Sequence, residues 1–206
     1  MLSASKNAKA TLILDTDQVK AIEKNDLLNL GEKLDLLAIS LGFKLTSEIY
    51  QRILYVFDEK TKKEIPLPQT ILALEQILKK LPFPYFLDNI EKKNRQSGRL
   101  KKFVWFQVCV NEKVLYFMKK YSKGLTEIEL GILYGFPLSA IRAFSGLVER
   151  GSPKPLSPAE SVFIGVPSKE FRLEERNYYE KWWQSLCRLS PSLTSEAEKL
   201  FAKEHS

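Results

Sequence analysis

The stretch Phe103-Val104-Trp105-Phe106-Gln107-Val108-Cys109-Val110 decides the fold class. Its β-branched and aromatic content, with Lys101-Lys102 on one side and Asn111-Glu112 on the other, predicts a strand over 103–110. Alternation puts Phe103 and Trp105 on one face and Val104 and Phe106 on the other. Both faces are apolar, so burial is expected. Downstream the pattern turns helical. Asn111 is placed to cap a helix carrying Val114, Leu115, Phe117, Met118 and Tyr121, and two short helices, about 126–134 and 138–149, flank Gly135-Phe136-Pro137. GSPKPLSP (151–158) reads as a connector, VFIGV (162–166) as a strand, and Pro167-Ser168 as the start of a long aromatic helix that Ser190-Pro191 breaks before a final short helix.

Upstream of the deciding stretch, residues 11–14 read as a short strand and Asp15-Thr16-Asp17 as helix-start chemistry. Leu27, Leu30, Leu34, Leu37 and Leu41 recur at steps of three and four, which places them on one helical face ending at Gly42. Residues 48–57 and 63–67 read as a hairpin, and Ile71 to Leu81 as a helix stopped by Pro82 and Pro84. Strands and helices mix without a regular βαβ alternation. The expectation is therefore an α+β fold, mostly helical with a small mixed sheet. One domain spans 10–190, preceded by a flexible stretch at 1–9 and followed by a helical extension at 191–206.

Composition narrows the function. The chain has 206 residues, a formal charge of +7, one His and two Cys. His205 alone supplies no triad or imidazole metal site, and Cys109 and Cys187 form no Cys-x-x-Cys pair, so neither a metal nor a cofactor is expected. No Gly-rich phosphate loop occurs, and Asp15 and Asp17 read as helix-cap acids rather than Mg²⁺ ligands. These observations lean away from an enzyme, and no residue is assigned as catalytic. The apolar run near the N-terminus is too short for a signal peptide and no stretch approaches the ~20 apolar residues of a membrane span, which predicts a cytoplasmic location.

The charge is concentrated. KKNRQSGRLKK (92–102) holds six cations and no acid, while the other 26 Lys and Arg nearly balance 25 Asp and Glu. Aromatic residues flank it at Phe83, Tyr85 and Phe86 and at Phe103, Trp105 and Phe106. Cations neutralise phosphates and aromatic faces stack on unpaired bases, a combination suited to RNA or to nonspecific DNA contact. A nucleic-acid or other polyanion contact is expected through Lys92, Lys93, Arg95, Arg99, Lys101 and Lys102, with Arg142 assisting. A solvated loop beside core aromatics is the alternative.

LTEIELGILYGFPLSAIRAFSGLV (125–148) has helix-turn-helix spacing, with small Gly131 on the first helix, Gly135 in the turn, and Ile141 and Phe144 facing inward from the second. A transcription regulator is thus a third reading. Its charge disagrees: between 125 and 149, Glu127, Glu129 and Glu149 oppose Arg142 alone.

The run Glu129-x-Gly131-x-Leu133-Tyr134-Gly135-Phe136-Pro137, followed by Ser139-Ala140-Ile141 and Phe144, resembles the E-x-G-x-L-L-G-Y-P signature of a prokaryotic domain family of unknown function. The resemblance covers about 103–190 and implies a strand, a helix, the Gly-Tyr-Pro turn and a later Phe-x-x-x-Pro segment before a C-terminal helix. Relatives often carry cysteines just after the Pro, where this chain has Ser139 and Ala140. The family implies no activity.

The aromatic helix, with Phe171, Tyr178, Tyr179, Trp182 and Trp183, exceeds what one helical face can bury. Core packing accounts for most of it. An exposed excess at Tyr179 and Trp183 would instead anchor a protein partner, giving an interaction or scaffold module as the competing function.

Overall fold

The computed structural model describes residues 14–57, 69–93, 100–163 and 166–205, with the backbone alone at 51–57, 91–93, 100 and 101. The expected flexible N-terminus at 1–9, most of the strand at 11–14, the hairpin arm at 63–67, and Arg95 and Arg99 lie outside the described residues.

The chain opens with α1 (Thr16–Glu23), where the Asp15 carboxylate accepts the Gln18 N–H at 2.8 Å, so this acid is a helix cap. Next is α2 (Leu30–Ser40), capped by Asn29. Its expected single leucine stripe is widened: Leu36, Leu37, Ala38, Ile39 and Ser40 are all buried, because α2 is enclosed by β1 (Thr46–Phe57), α8 (Arg172–Leu189) and α9 (Pro191–His205). Glu32 joins α2 to β1. One of its oxygens closes the α2 capping box at the Asn29 N–H, and the other accepts the Tyr50 N–H at 2.8 Å. Tyr50 has a φ of 59° at an irregularity in β1 between Ile49 and Arg52.

After α3 (Gln69–Leu78), β2 (Tyr85–Lys93) and β3 (Leu100–Cys109) complete a three-stranded sheet of order β1-β3-β2. The fold is α+β and mostly helical, and the sheet, expected as mixed, is antiparallel in both pairings. β1 pairs with β3, the central strand. The register of β2 on β3 runs unbroken from Tyr85↔Val108 to Lys93↔Leu100. The described residues of the basic segment, 92–93 and 100–102, thus lie in the paired strands β2 and β3.

The two faces of the sheet differ. Val104, Phe106 and Val108 enter the main core with α2, α3, α8 and α9. On the opposite face α4 (Glu112–Tyr121), capped by Asn111, and α5 (Glu127–Leu133) cover Cys109 through Leu115, Met118 and Leu130. On this face Gln107 and Cys109 are buried while Phe103 and Trp105 are half-buried, so the two-sided burial expected for 103–110 is complete on one face and partial on the other.

α6 (Leu138–Phe144) and α7 (Pro158–Phe163) follow. Val162 and Phe163 end α7, so no strand forms at 162–163; Phe163 packs its ring on Trp182, 5.2 Å between centroids. The connector is strapped down: Arg172 donates to the carbonyls of Ser152 and Lys154 and to Glu160 Oε2. Residues 191–205, the described part of the expected helical extension, form α9, whose Leu193 and Ala197 share the main core. No helix among the described residues is long and apolar enough to cross a membrane.

Candidate nucleic-acid interface

The sheet face that carries Trp105 is built by period-two alternation. On β3 it takes Lys101, Phe103, Trp105 and Gln107; on β2, through the register, it takes Phe86, Asp88, Ile90 and Lys92. Lys92 sits directly opposite Lys101. Lys93 and Lys102 occupy the other face, Lys102 opposite Glu91 and Lys93 opposite Leu100. Like charges opposite one another weaken a ladder, so the Lys92–Lys101 placement is not explained by hairpin stability.

A hydrogen-bonded chain fixes Trp105. Its indole Nε1 donates to Gln107 Oε1 at 3.3 Å, Gln107 Nε2 donates to Thr46 Oγ1 at 2.6 Å, and the Thr46 hydroxyl donates to the Val108 carbonyl at 2.7 Å. Gln107 and Thr46 are buried, which keeps these bonds dry and the ring orientation defined. Beside them a cleft of about 550 Å³ is walled by Trp105, Asp88, Asn89, Glu48, Tyr134 and Lys123, among others. The Leu45 N–H donates to the Leu133 carbonyl at 2.9 Å, tying the end of α5 to the start of β1. Tyr134 then donates its O–H to Glu48 Oε1 at 2.8 Å. Burial first, and then the facing Glu48 carboxylate, raise the Tyr134 phenol above its ordinary range.

α4 and the turn after it add two cations, Lys119 and Lys123, on the same side. Lys119 Nζ lies 5.6 Å from the centre of the Phe86 ring, Lys123 reaches the cleft, and Lys120 lies over the exposed rings of Tyr116 and Tyr121. Sequence reasoning missed this contribution by treating 92–102 as the sole basic feature. The signal was legible in EKVLYFMKKYSK (112–123), four lysines interleaved with aromatics against one acid.

The expected site residues therefore divide. Lys92 and Lys101 join Trp105 on one face, and Lys93 and Lys102 lie across the hairpin. Arg142 is exposed on α6, whose main contact is with α5.

The turn-helix residues have packing roles. Glu129 accepts the Thr126 N–H at 2.8 Å to complete the α5 capping box. At Gly131 a Cβ would lie 2.7 Å from Ile141 Cγ1, so only glycine permits the α5–α6 approach. Gly135 has a φ of +78°, Phe136 packs against the main core, Pro137 precedes α6 and Ile141 is buried. Phe144 does not face inward as expected. It is 48% exposed, on the rim of an apolar cleft of about 580 Å³ between α5 and α6, because the last turn of α6 buries Ala143 and Ile141 and leaves Phe144 on its outer side. With Leu138 and Leu147 also exposed, the outer side of this unit is largely apolar, unlike a surface that docks on phosphates.

The aromatic excess is also corrected. Tyr179 and Trp183 are 4% and 6% exposed and belong to the main core, where α8 is enclosed by α2, α7 and α9. They are not available to a partner. Among the described residues no three His, Cys, Asp or Glu side chains gather to hold a metal ion. Comparison with family models, curated proteins and solved structures finds no match to this chain.

Proposed function

We propose that the protein binds single-stranded nucleic acid, RNA or unpaired DNA, along the sheet face that carries Trp105. The observation that carries this reading is the ladder register: Lys92 and Lys101 oppose each other on the face where Trp105 lies half-exposed with its indole locked by Gln107. Cations track a phosphate backbone, and a fixed aromatic ring provides a stacking platform. Lys119 and Lys123 border the same surface, and Arg95 and Arg99 lie in the chain between the hairpin arms. An unpaired strand fits better than a duplex, since stacking requires splayed bases and α6 carries one exposed cation among apolar residues.

The test is fluorescence anisotropy of the full chain with a labelled ten-residue oligouridine across a salt series. Replacing Lys92, Lys93, Lys101 and Lys102 together by Ala is expected to weaken binding by at least about tenfold and to flatten the salt dependence by up to about one unit of log–log slope per phosphate contact removed. Binding that ignores salt, or survives the fourfold variant, overturns the proposal.

A further inference from the structure

We infer that the cleft beside Trp105 takes one unpaired guanine of the bound strand, an inference that rests on the nucleic-acid reading above. The cleft volume, about 550 Å³, is in the range of small-molecule sites. One wall is the indole of Trp105, held by Gln107. Asp88 is the cross-strand partner of Trp105, so its carboxylate lies beside the ring on which a base would stack. The Asn89 N–H donates to Asp88 Oδ1 at 2.8 Å and orients that group.

The hydrogen-bonding character of the walls selects the base. An ionised carboxylate only accepts, and it accepts best from two adjacent donors. On its pairing edge guanine presents N1–H and N2–H side by side. Uracil presents one N–H between two carbonyl oxygens that a carboxylate repels, and adenine and cytosine each place an acceptor next to their amino group. Guanine alone matches Asp88 bidentately. Its remaining acceptor, O6, calls for a donor, and Asn89, Ser122 and Lys123 line the same cleft. Glu48 on the β1 side accepts from Tyr134, which closes that wall with a second acceptor-rich group.

The experiment compares an eight-residue oligouridine with the same strand carrying one central guanine, or one central inosine, which lacks the 2-amino group. Affinity is read by anisotropy and site occupancy by tryptophan quenching, since Trp182 and Trp183 are buried. One guanine is expected to tighten binding about tenfold, the scale of a bidentate base contact. Inosine should lose most of that gain, a comparison that leaves the protein unaltered. In Asp88→Asn the guanine-to-uridine affinity ratio should fall toward one. Equal, tight binding of all three strands overturns the guanine site while leaving the strand-binding reading intact. Failure of every oligonucleotide to bind overturns both. Quenching by free arginine or spermidine in preference to the guanine strand assigns the cleft to an organic cation and overturns the inference.

Discussion

Gly135 lies against the rim of the Trp182 indole so closely that a Cβ there would stand 2.8 Å from Trp182 Cη2 and 2.1 Å from the Phe43 carbonyl oxygen. The Tyr178 hydroxyl donates to the Gly135 carbonyl at 3.1 Å, and the rings of Phe43 and Trp182 stack at 5.1 Å. The turn between α5 and α6 is thus docked on the aromatic helix α8, and the positive φ and the close approach both require glycine.

Gly135→Ala should consequently be among the most damaging single substitutions in the chain. Overpacking costs about 1–3 kcal/mol and the left-handed backbone roughly 1–2 kcal/mol more. Urea denaturation should show a loss of at least about 2 kcal/mol. Gly124→Ala, where no atom lies within 4 Å of the added carbon, should cost far less. Equal stability of the two variants would mean the turn is not docked in this way.

Arg172→Ala should release the Pro-rich connector. Glu160 is 3% exposed and takes the Arg172 guanidinium at 2.7 Å and the Leu156 N–H at 2.8 Å. Removing the cation leaves a buried carboxylate uncompensated, at a cost of about 3–5 kcal/mol. Chymotrypsin cleavage after Leu156, two residues beyond the Lys154 carbonyl that receives Arg172, should accelerate in this variant under native conditions. An unchanged cleavage rate would show that the strap does not hold the connector.

What was legible in the sequence was local and periodic. The Asp15 and Asn111 caps, the Gly131–Ile141 approach and the strand at the heart of the sheet follow from residue type and spacing alone. The errors concern what covers what. Tyr179 and Trp183 look excessive on an isolated helix, but α8 is enclosed on three sides and buries them. Phe144 has inward spacing, yet the last turn of α6 buries Ile141 and Ala143 instead and leaves Phe144 at a cleft rim. Val162-Phe163 has a strand-like composition, and the helix begun at Pro158 absorbs it. The cleft beside Trp105 was invisible for the same reason. Its walls come from β1, β2, β3 and the helical segments after 112, and nothing in the chain order brings Glu48, Asp88 and Tyr134 together.

Acid should weaken the junction of α1 and α9. Burial acts to raise the Glu23 carboxyl pKa, but the hydroxyls of Ser190 and Ser192, each donating to Oε1 at 2.6 Å, and the charges of Lys20 and Lys24 prevail, so the net shift is downward. A depressed folded-state pKa contributes stability that is present above the ordinary value of about 4.3 and is lost as pH falls through the folded-state value. Ser190→Ala with Ser192→Ala should therefore be less stable than the parent at pH 7, and the gap should narrow below about pH 4. A gap that widens on acidification would contradict the sign of this shift.

The two cysteines should differ in reactivity. Burial pushes the Cys109 thiol up to about 11, with the Thr46 hydroxyl at 3.3 Å only partly opposing it, whereas Cys187 is half-buried. The thiolate is the reactive form, so at pH 8 Cys109 should resist iodoacetamide in the native protein and react only on unfolding. Mass spectrometry of the alkylated chain should find modification at Cys187 first. Because Cys109 lies beneath α4 with Leu115 and Met118, its protection also reports on that helix. Met118→Ala should speed its alkylation by opening the layer, while Cys187 reacts at an unchanged rate. Rapid native alkylation of Cys109 in the parent protein would mean that α4 does not seal this end of the sheet.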